Sequence, residues 1–297
     1  MKLRELLQGI NIQSVHADLD LEAGGVCYDS RTVRPGDVFV AMRGFAADGH
    51  RFIPMAAERG AVCAVCEEPP SVEIPYVLVD NARRSLALLG ASWYGHPADE
   101  MTMIGVTGTN GKTTSTYLLK AILERQGAKV GLIGTNQNMI GAEVVETERT
   151  TPESFDLQGL LRRMADAGCT HVVMEVSSHA LSLDRVYGIH YTVGAFTNLT
   201  QDHLDFHGTM EDYCDAKSIL FRRCDVGVYD RDDAWADRIM AGSACRQLSY
   251  GVHGGDLRGE DIALHAAGVD FTAVHGGERV GISIGIPGAF TVYNALC

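Results

Sequence analysis

A short apolar stretch, Met103-Ile104-Gly105-Val106, runs into Gly108-Thr109-Asn110-Gly111-Lys112-Thr113-Thr114, and a helical pattern (Tyr117, Leu118, Leu119, Ala121, Ile122, Leu123) follows. A strand, a glycine-rich turn and a helix N-terminus in this order form an anion cradle. Glycines let backbone N–H groups converge on phosphate oxygens, and the helix dipole favours negative charge there. Lys112 is placed to reach the terminal phosphates, and the Thr113 hydroxyl to ligate magnesium. The segment therefore predicts binding of a nucleoside triphosphate. It departs from the strict phosphate-loop pattern, which has glycine where this chain has Val106.

The remaining composition narrows the class. At 297 residues there is room for two full-sized domains. A hydrophobic fraction of 46% without a long apolar run predicts a soluble globular protein with no membrane span. The start, Met1 to Leu7, is too short and charged for a signal peptide and reads as an amphipathic helix. A net charge of −13 argues against nucleic acid as a partner, so an anionic substrate must be held by helix termini and single arginines. Eight cysteines with no secretory signal point to reduced thiols in the cytosol. The Cys63-Ala-Val-Cys66 pair lies in an apolar run with no second Cys or His pair at zinc-finger spacing, and reads as strand cysteines.

The expected fold class is α/β: a small N-terminal α/β domain, then a phosphate-loop domain with a doubly wound, mainly parallel sheet and a small antiparallel appendage. Residues 1–98 make the first domain and 99–297 the second. In the first, strands are predicted at Val38–Met42, Ala61–Cys66 and Tyr76–Val79, with helices at about 51–59 and 83–93. Tyr94 to Asp99 breaks both periodicities and reads as the linker. Beyond the phosphate loop, strands are predicted at 130–133, 171–176, 193–197 and 226–229, helices at about 155–167 and 210–222, and the appendage at 262–286. Gly288 to Cys297 stops on apolar residues where a helix should start, as expected for a piece of a longer chain.

Downstream of the loop lie further polar constellations. Thr150-Thr151-Pro152 before a helix suits a carboxylate or phosphate, or plain helix capping. Glu175 ends the apolar strand that precedes Val176-Ser177-Ser178-His179, a position for a magnesium ligand or a structural ion pair. Arg185 either holds an anionic group or is a solvated surface arginine. Thr197 to Gly208, with Asn198, Asp202, His203, Asp205 and His207, packs metal-capable side chains directly after a strand. Lys217 shares a helix face with Tyr213 and Leu220; it either snorkels to water or is held with a lowered pKa. In the second state its amine captures CO₂ as a carbamate, turning a cation into an anionic metal ligand.

These motifs, in this order and spacing, resemble those of the Mur ligases across essentially all of the chain. Asp29-Ser30-Arg31, Phe39-Val40-Ala41 and Ala47-Asp48-Gly49 are similar to the branch that adds the third residue of the peptidoglycan stem peptide. The resemblance implies an ATP-dependent amide ligase, working in the cytosol as a monomer and proceeding through an acyl phosphate. Its substrates are a UDP-N-acetylmuramoyl dipeptide and an amino acid, with diaminopimelate the commoner one. Gly108, Thr109, Asn110, Gly111, Lys112, Thr113, Thr114 and Asn294 are then expected to bind ATP. Thr113 and Glu175 hold one Mg²⁺, and His203 with carbamylated Lys217 a second, making Lys112, Lys217 and His203 the catalytic set. Ser30 contacts the uridine diphosphate end, while Thr150, Thr151, Ser177 and Arg185 hold the muramoyl peptide. Leu183 stands where some members have a glutamine, Phe45-Ala46 replace a His-Gln pair, and Thr291 occupies a common asparagine position. The family's C-terminal domain, which carries the amino-acid pocket, has no counterpart in this sequence. Two other readings stay open: a module that binds ATP and the sugar nucleotide without turning over, and a ligase of the folylpolyglutamate synthetase type. The additional domain before the loop weighs against the latter.

Overall fold

The computed structural model describes residues 1–44, 47–147 and 149–297, so Phe45 and Ala46, and with them the expectation about the replaced His-Gln pair, lie outside the described residues. The chain divides into two compact units. The first comprises Met1–Pro97, Glu153–Arg163 and Leu183–Gly188, and the second the remainder.

In the first unit, β1 (Ile12–His16), β2 (Gly25–Cys27), β3 (Asp37–Val40), β4 (Cys63–Cys66) and β5 (Tyr76–Val79) form one sheet in the order β1-β5-β4-β3-β2. The β5-β4-β3-β2 run is parallel, and β1 joins its edge antiparallel. Strands β3 and β4 are buried along their whole length, as a parallel sheet covered on both faces requires. Alternation sorts their side chains. Val38, Val40, Cys63 and Val65 pack with Leu3 and Leu6 of α1 (Leu3–Leu6) and with Leu86 and Leu89 of α3 (Ala82–Trp93). Phe39, Ala41, Ala64 and Cys66 pack against Ile53 and Ala56 of α2 (Ile53–Glu58) on the other face. Cys63 and Cys66 are thus buried strand residues on opposite faces, and burial pushes their thiols up to about 12 and about 11.

The second unit is built on an eleven-stranded sheet. Its centre is β6 (Thr102–Thr107), with β10 (His171–Glu175) and β11 (Tyr191–Phe196) parallel on either side. Beyond β10 come β7 (Val130–Ile133) and the antiparallel β8 (Asn138–Ile140) and β9 (Glu143–Val145). Beyond β11 the parallel run continues through β12 (Cys224–Asp230) and β13 (Arg246–Gly251). It reaches β14 (Leu257–His265), which pairs antiparallel with β15 (Gly268–His275), and β15 in turn with β16 (Glu278–Ile284); these strands start earlier than the predicted appendage and extend the sheet itself. Helix α4 (Lys112–Arg125) packs Tyr117, Leu119 and Leu123 on Ile104, Val106, Val130 and Val173. Between α4 and β10 the chain forms α5 (Ser154–Asp166), and after β10 the short α6 (Ser178–Ser182). After β11 come α7 (Leu204–His207) and α8 (Met210–Ser218), which runs on as a 3₁₀ turn over Ile219–Arg222. A short α9 (Ala236–Met240) precedes β13, and α10 (Phe290–Leu296) covers β15 with Val292 and Leu296. Among the described residues no helix is long and apolar enough to cross a membrane.

Candidate active site

Strand β6 ends at Thr107, and the chain turns through residues 108–111 into α4. Two glycines make this turn possible. Gly108 has φ +146°, and a Cβ there would lie 1.9 Å from the Thr197 hydroxyl oxygen. Gly111 has φ +85°, and a Cβ there would lie 2.2 Å from Asn294 Oδ1. Any larger residue meets both strain and a wall. The same contacts put the predicted Asn294, on α10, directly against the loop.

The segment after β11 grips the loop from one side. Thr109 N–H donates to the Asn198 carbonyl (2.8 Å) and Asn110 N–H to Asn198 Oδ1 (3.0 Å). In return the Thr197 hydroxyl (2.6 Å) and the Asn198 amide (3.0 Å) donate to the Asn110 carbonyl. The sequence predicts that glycines let backbone N–H groups converge on phosphate oxygens. Those of Thr109 and Asn110 bond Asn198. The first-turn N–H groups of α4 at Lys112, Thr113 and Thr114 receive no capping side chain from Gly111, as at a helix N-terminus open to an anion. Beside them a cavity of ≈ 450 Å³ is lined by Thr113, Thr114, Tyr117, Leu118, Asn136 and Ile286.

Two amines meet on one carbonyl oxygen. Lys112 Nζ donates to the carbonyls of Gly108 and Thr109, both at 2.8 Å. Lys217 Nζ, reaching in from α8, donates to the same Gly108 oxygen at 2.8 Å and sits 4.5 Å from the centre of the Tyr213 ring. Lys217 is only 1% exposed, so it does not snorkel to water. Burial lowers the pKa of Lys112, with Glu175 and Asp202 opposing. Burial and then the Lys112 charge push Lys217 well below the lysine range. A neutral amine at Lys217 is the chemical requirement for capture of CO₂.

Glu175 ends β10 with its carboxylate buried (1% exposed) among neutral donors. Oε1 accepts from the Thr113 hydroxyl (2.9 Å) and the Thr135 N–H (3.0 Å), and Oε2 from the Thr135 hydroxyl (3.0 Å). Thr135 in turn meets the Thr150 hydroxyl at 3.1 Å. The Thr151 hydroxyl donates to the Glu175 carbonyl (2.9 Å) and accepts from Ser177 N–H (3.2 Å), while Ser177 Oγ caps α6 by accepting from Ala180 N–H (3.2 Å). Thr113 and, through Thr135, Thr150 are thus tied to the Glu175 carboxylate, and Thr151 and, through it, Ser177 to its backbone carbonyl.

His203 starts α7 in a left-handed conformation (φ +51°), half exposed, with its ring centre 4.9 Å from that of His179 and 6.2 Å from that of Tyr213. Next to it, His207 lies 2.9 Å from Ser178 Oγ; burial and the neighbouring His179, Lys217 and His203 push its pKa down to about 4. Ser30 and Arg185 belong to the first unit. Ser30 is buried, and Arg185 is held 3.3 Å from the buried Glu153 carboxylate, so it is not a solvated surface arginine. Sequence reasoning missed Thr135 and undervalued Asn198. The signal for Thr135 is its place just past β7, at the same strand ends as the loop.

A family model described as the Mur ligase middle domain matches residues 106–297, and one described as the Mur ligase family catalytic domain matches residues 22–93. A curated relative from Clostridium tetani, named UDP-N-acetylmuramoyl-L-alanyl-D-glutamate--2,6-diaminopimelate ligase, is 43% identical over 302 residues; the alignment takes in 100% of this chain and 62% of that protein. A solved structure bearing the same enzyme name superposes with a TM-score of 0.86 at 27% identity, covering 100% of this chain and 62% of its own. The apo form of a folylpolyglutamate synthetase from L. casei shares the fold over 72% of this chain and 60% of its own, with a TM-score of 0.62 at 19% identity. The chain therefore spans under two thirds of the length of these relatives.

Proposed function

The chain belongs to the Mur ligase family, and we propose that it is the nucleotide-handling part of an ATP-dependent amide ligase of peptidoglycan precursor synthesis. The reaction adds a third amino acid, meso-diaminopimelate, to UDP-N-acetylmuramoyl-L-alanyl-D-glutamate in the cytosol. One observation supports it most: Lys112 and Lys217 share the Gly108 carbonyl, at the end of the same loop whose Thr113 is bonded to the buried Glu175. This suits phosphoryl transfer, which needs placed charge more than acid–base groups.

A carboxylate oxygen of the dipeptide attacks the γ-phosphorus and ADP leaves, giving an acyl phosphate. The amine of the incoming amino acid then attacks the acyl carbon, phosphate departs, and the amine gives up a proton. Lys112 swings from the loop carbonyls onto phosphoryl oxygens, and the α4 N-terminus binds the same charge. Ser30 contacts the uridine diphosphate end; Thr150, Thr151, Ser177 and Arg185 hold the muramoyl peptide; Asn294 lies near the adenine.

The residues present fit magnesium. Glu175 is a buried carboxylate met only by hydroxyl and amide donors in its named bonds, and a cation beside it would offset the cost of burial. Magnesium, when bound, neutralises charge on phosphoryl oxygens. Thr113 and Glu175 would hold one ion, and His203 and Lys217 a second. For the latter, the neutral Lys217 amine bonds to CO₂ and releases a proton, leaving an anionic carbamate oxygen. Phosphate oxygens and the carbamate would complete the ligand sets.

The test mixes the protein with the UDP-muramoyl dipeptide, MgATP and diaminopimelate, and follows phosphate release and product mass. Amide product is expected, and Lys112→Ala should reduce phosphate release by at least ~10²-fold, as loss of a group that stabilises transition-state charge does. Undiminished turnover in that variant would refute the assignment. Because the chain spans 62% of its relative, a second reading is a binding module. Calorimetric binding of the dipeptide and MgADP without ligation distinguishes it.

A further inference from the structure

Helix α8 touches the phosphate loop at two points, and only one of them belongs to the proposed machinery. The first is Lys217 Nζ on the Gly108 carbonyl, an acceptor that Lys112 also uses. The second is Tyr213, one helical turn earlier and 1% exposed, whose hydroxyl lies 3.2 Å from the Thr109 hydroxyl.

The proton on each oxygen follows by counting. Thr109 Oγ1 is 3.2 Å from the Thr200 carbonyl, which can only accept, so the single Thr109 proton goes there. Thr109 Oγ1 then accepts from Thr200 N–H at 3.0 Å, and its remaining lone pair is met by the Tyr213 hydroxyl, acting as donor. The threonine is fully satisfied only when the tyrosine is present. The ring that carries this hydroxyl is fixed by its surroundings: Lys217 over its face, His207 tilted against it at 5.0 Å and His203 at 6.2 Å.

We propose that Tyr213 is a positioning residue for nucleotide binding, its hydroxyl pinning Thr109 so that the loop holds the N-terminus of α4 toward phosphate in one conformation. It touches neither phosphate nor the reacting atoms; it acts through Thr109. The inference rests on the phosphate-loop reading above.

Tyr213→Phe keeps the ring and its packing and removes the donor alone. The dissociation constant of MgADP should rise by roughly threefold to tenfold, of the order of one hydrogen bond, while the unfolding midpoint falls by no more than loss of one such bond explains. A double-mutant cycle with Thr109→Val separates positioning from general packing. If the two hydroxyls act as a pair, the double variant binds MgADP about as weakly as the weaker single variant; independent effects would multiply. Unchanged MgADP affinity in Tyr213→Phe, or full multiplicativity in the cycle, overturns the role of Tyr213 and leaves the loop assignment standing. Failure of the parent chain to bind MgADP overturns both.

Discussion

Asp230 ends β12 with its carboxyl 6% exposed, accepting a hydrogen bond from Asp232 N–H at 3.0 Å. Burial, reinforced by the charges of Asp232 and Asp233, raises its pKa from the ordinary 3.8 to about 7, against the pull of backbone N–H groups. Tyr250 and Tyr293 face it as well, each with its own pKa pushed up. Between pH 3.8 and about 7 the folded chain holds this proton and the unfolded chain releases it. The unfolded state binds fewer protons in that window, so the contribution of this group to stability falls as pH rises. Asp230→Asn keeps the acceptor and cannot ionise. Its unfolding free energy should match the parent near pH 4 and exceed it above pH 7, by on the order of 1–2 kcal/mol or more. Parallel pH profiles for the two proteins would show that the buried acid carries no such cost.

Helix α8 illustrates how one element serves packing and chemistry together. Thr209 caps it, its hydroxyl accepting from Asp212 N–H at 3.0 Å and donating to the Asp212 carboxylate at 2.7 Å, and Glu211 and Asp212 place negative charge at the positive end. The helix has nine residues and carries both Tyr213 and Lys217. Thr209→Ala should cost about 1 kcal/mol of stability by urea titration. It should also weaken MgADP binding, because the capped turn sets the approach of α8 to the loop; lost stability with unaltered binding would confine the cap to folding. The helix and its lysine were readable from local pattern, as were the strands at Tyr76–Val79 and Val130–Ile133; the Thr209 cap was not among the sequence readings. Strand β1, Ile-Gln-Ser-Val-His, was not, because an edge strand with exposed positions leaves little apolar alternation. Strand β13, Arg246–Gly251, is half polar and is specified by its parallel neighbour β12. Asn198 and Thr135 act by bonding the loop backbone and Glu175, partners distant in sequence that no spacing rule brings together.

At the scale of the whole molecule, the groups proposed to meet ATP are drawn from one unit. The loop, Glu175, residues 197–200, Lys217 and α10 all belong to the second, whereas Ser30, Glu153 and Arg185 belong to the first. Within the first unit Gly90 fits against Phe155 and Gln158, a long-range contact invisible to periodicity. Protection by the nucleotide should therefore fall on the second unit alone, since a ligand slows exchange of the amides whose opening it opposes. Hydrogen–deuterium exchange with saturating MgADP should slow residues 108–114, 197–200 and 290–296 and leave β2 to β4 unchanged. The UDP-muramoyl dipeptide should slow the segment around Ser30 and the turn from Thr150 to Ser154. Equal protection of both units by MgADP alone would mean that the nucleotide is held elsewhere than the loop. Protection of the loop by MgADP with none near Ser30 from the sugar nucleotide would retain the nucleotide site and remove the first unit from substrate recognition.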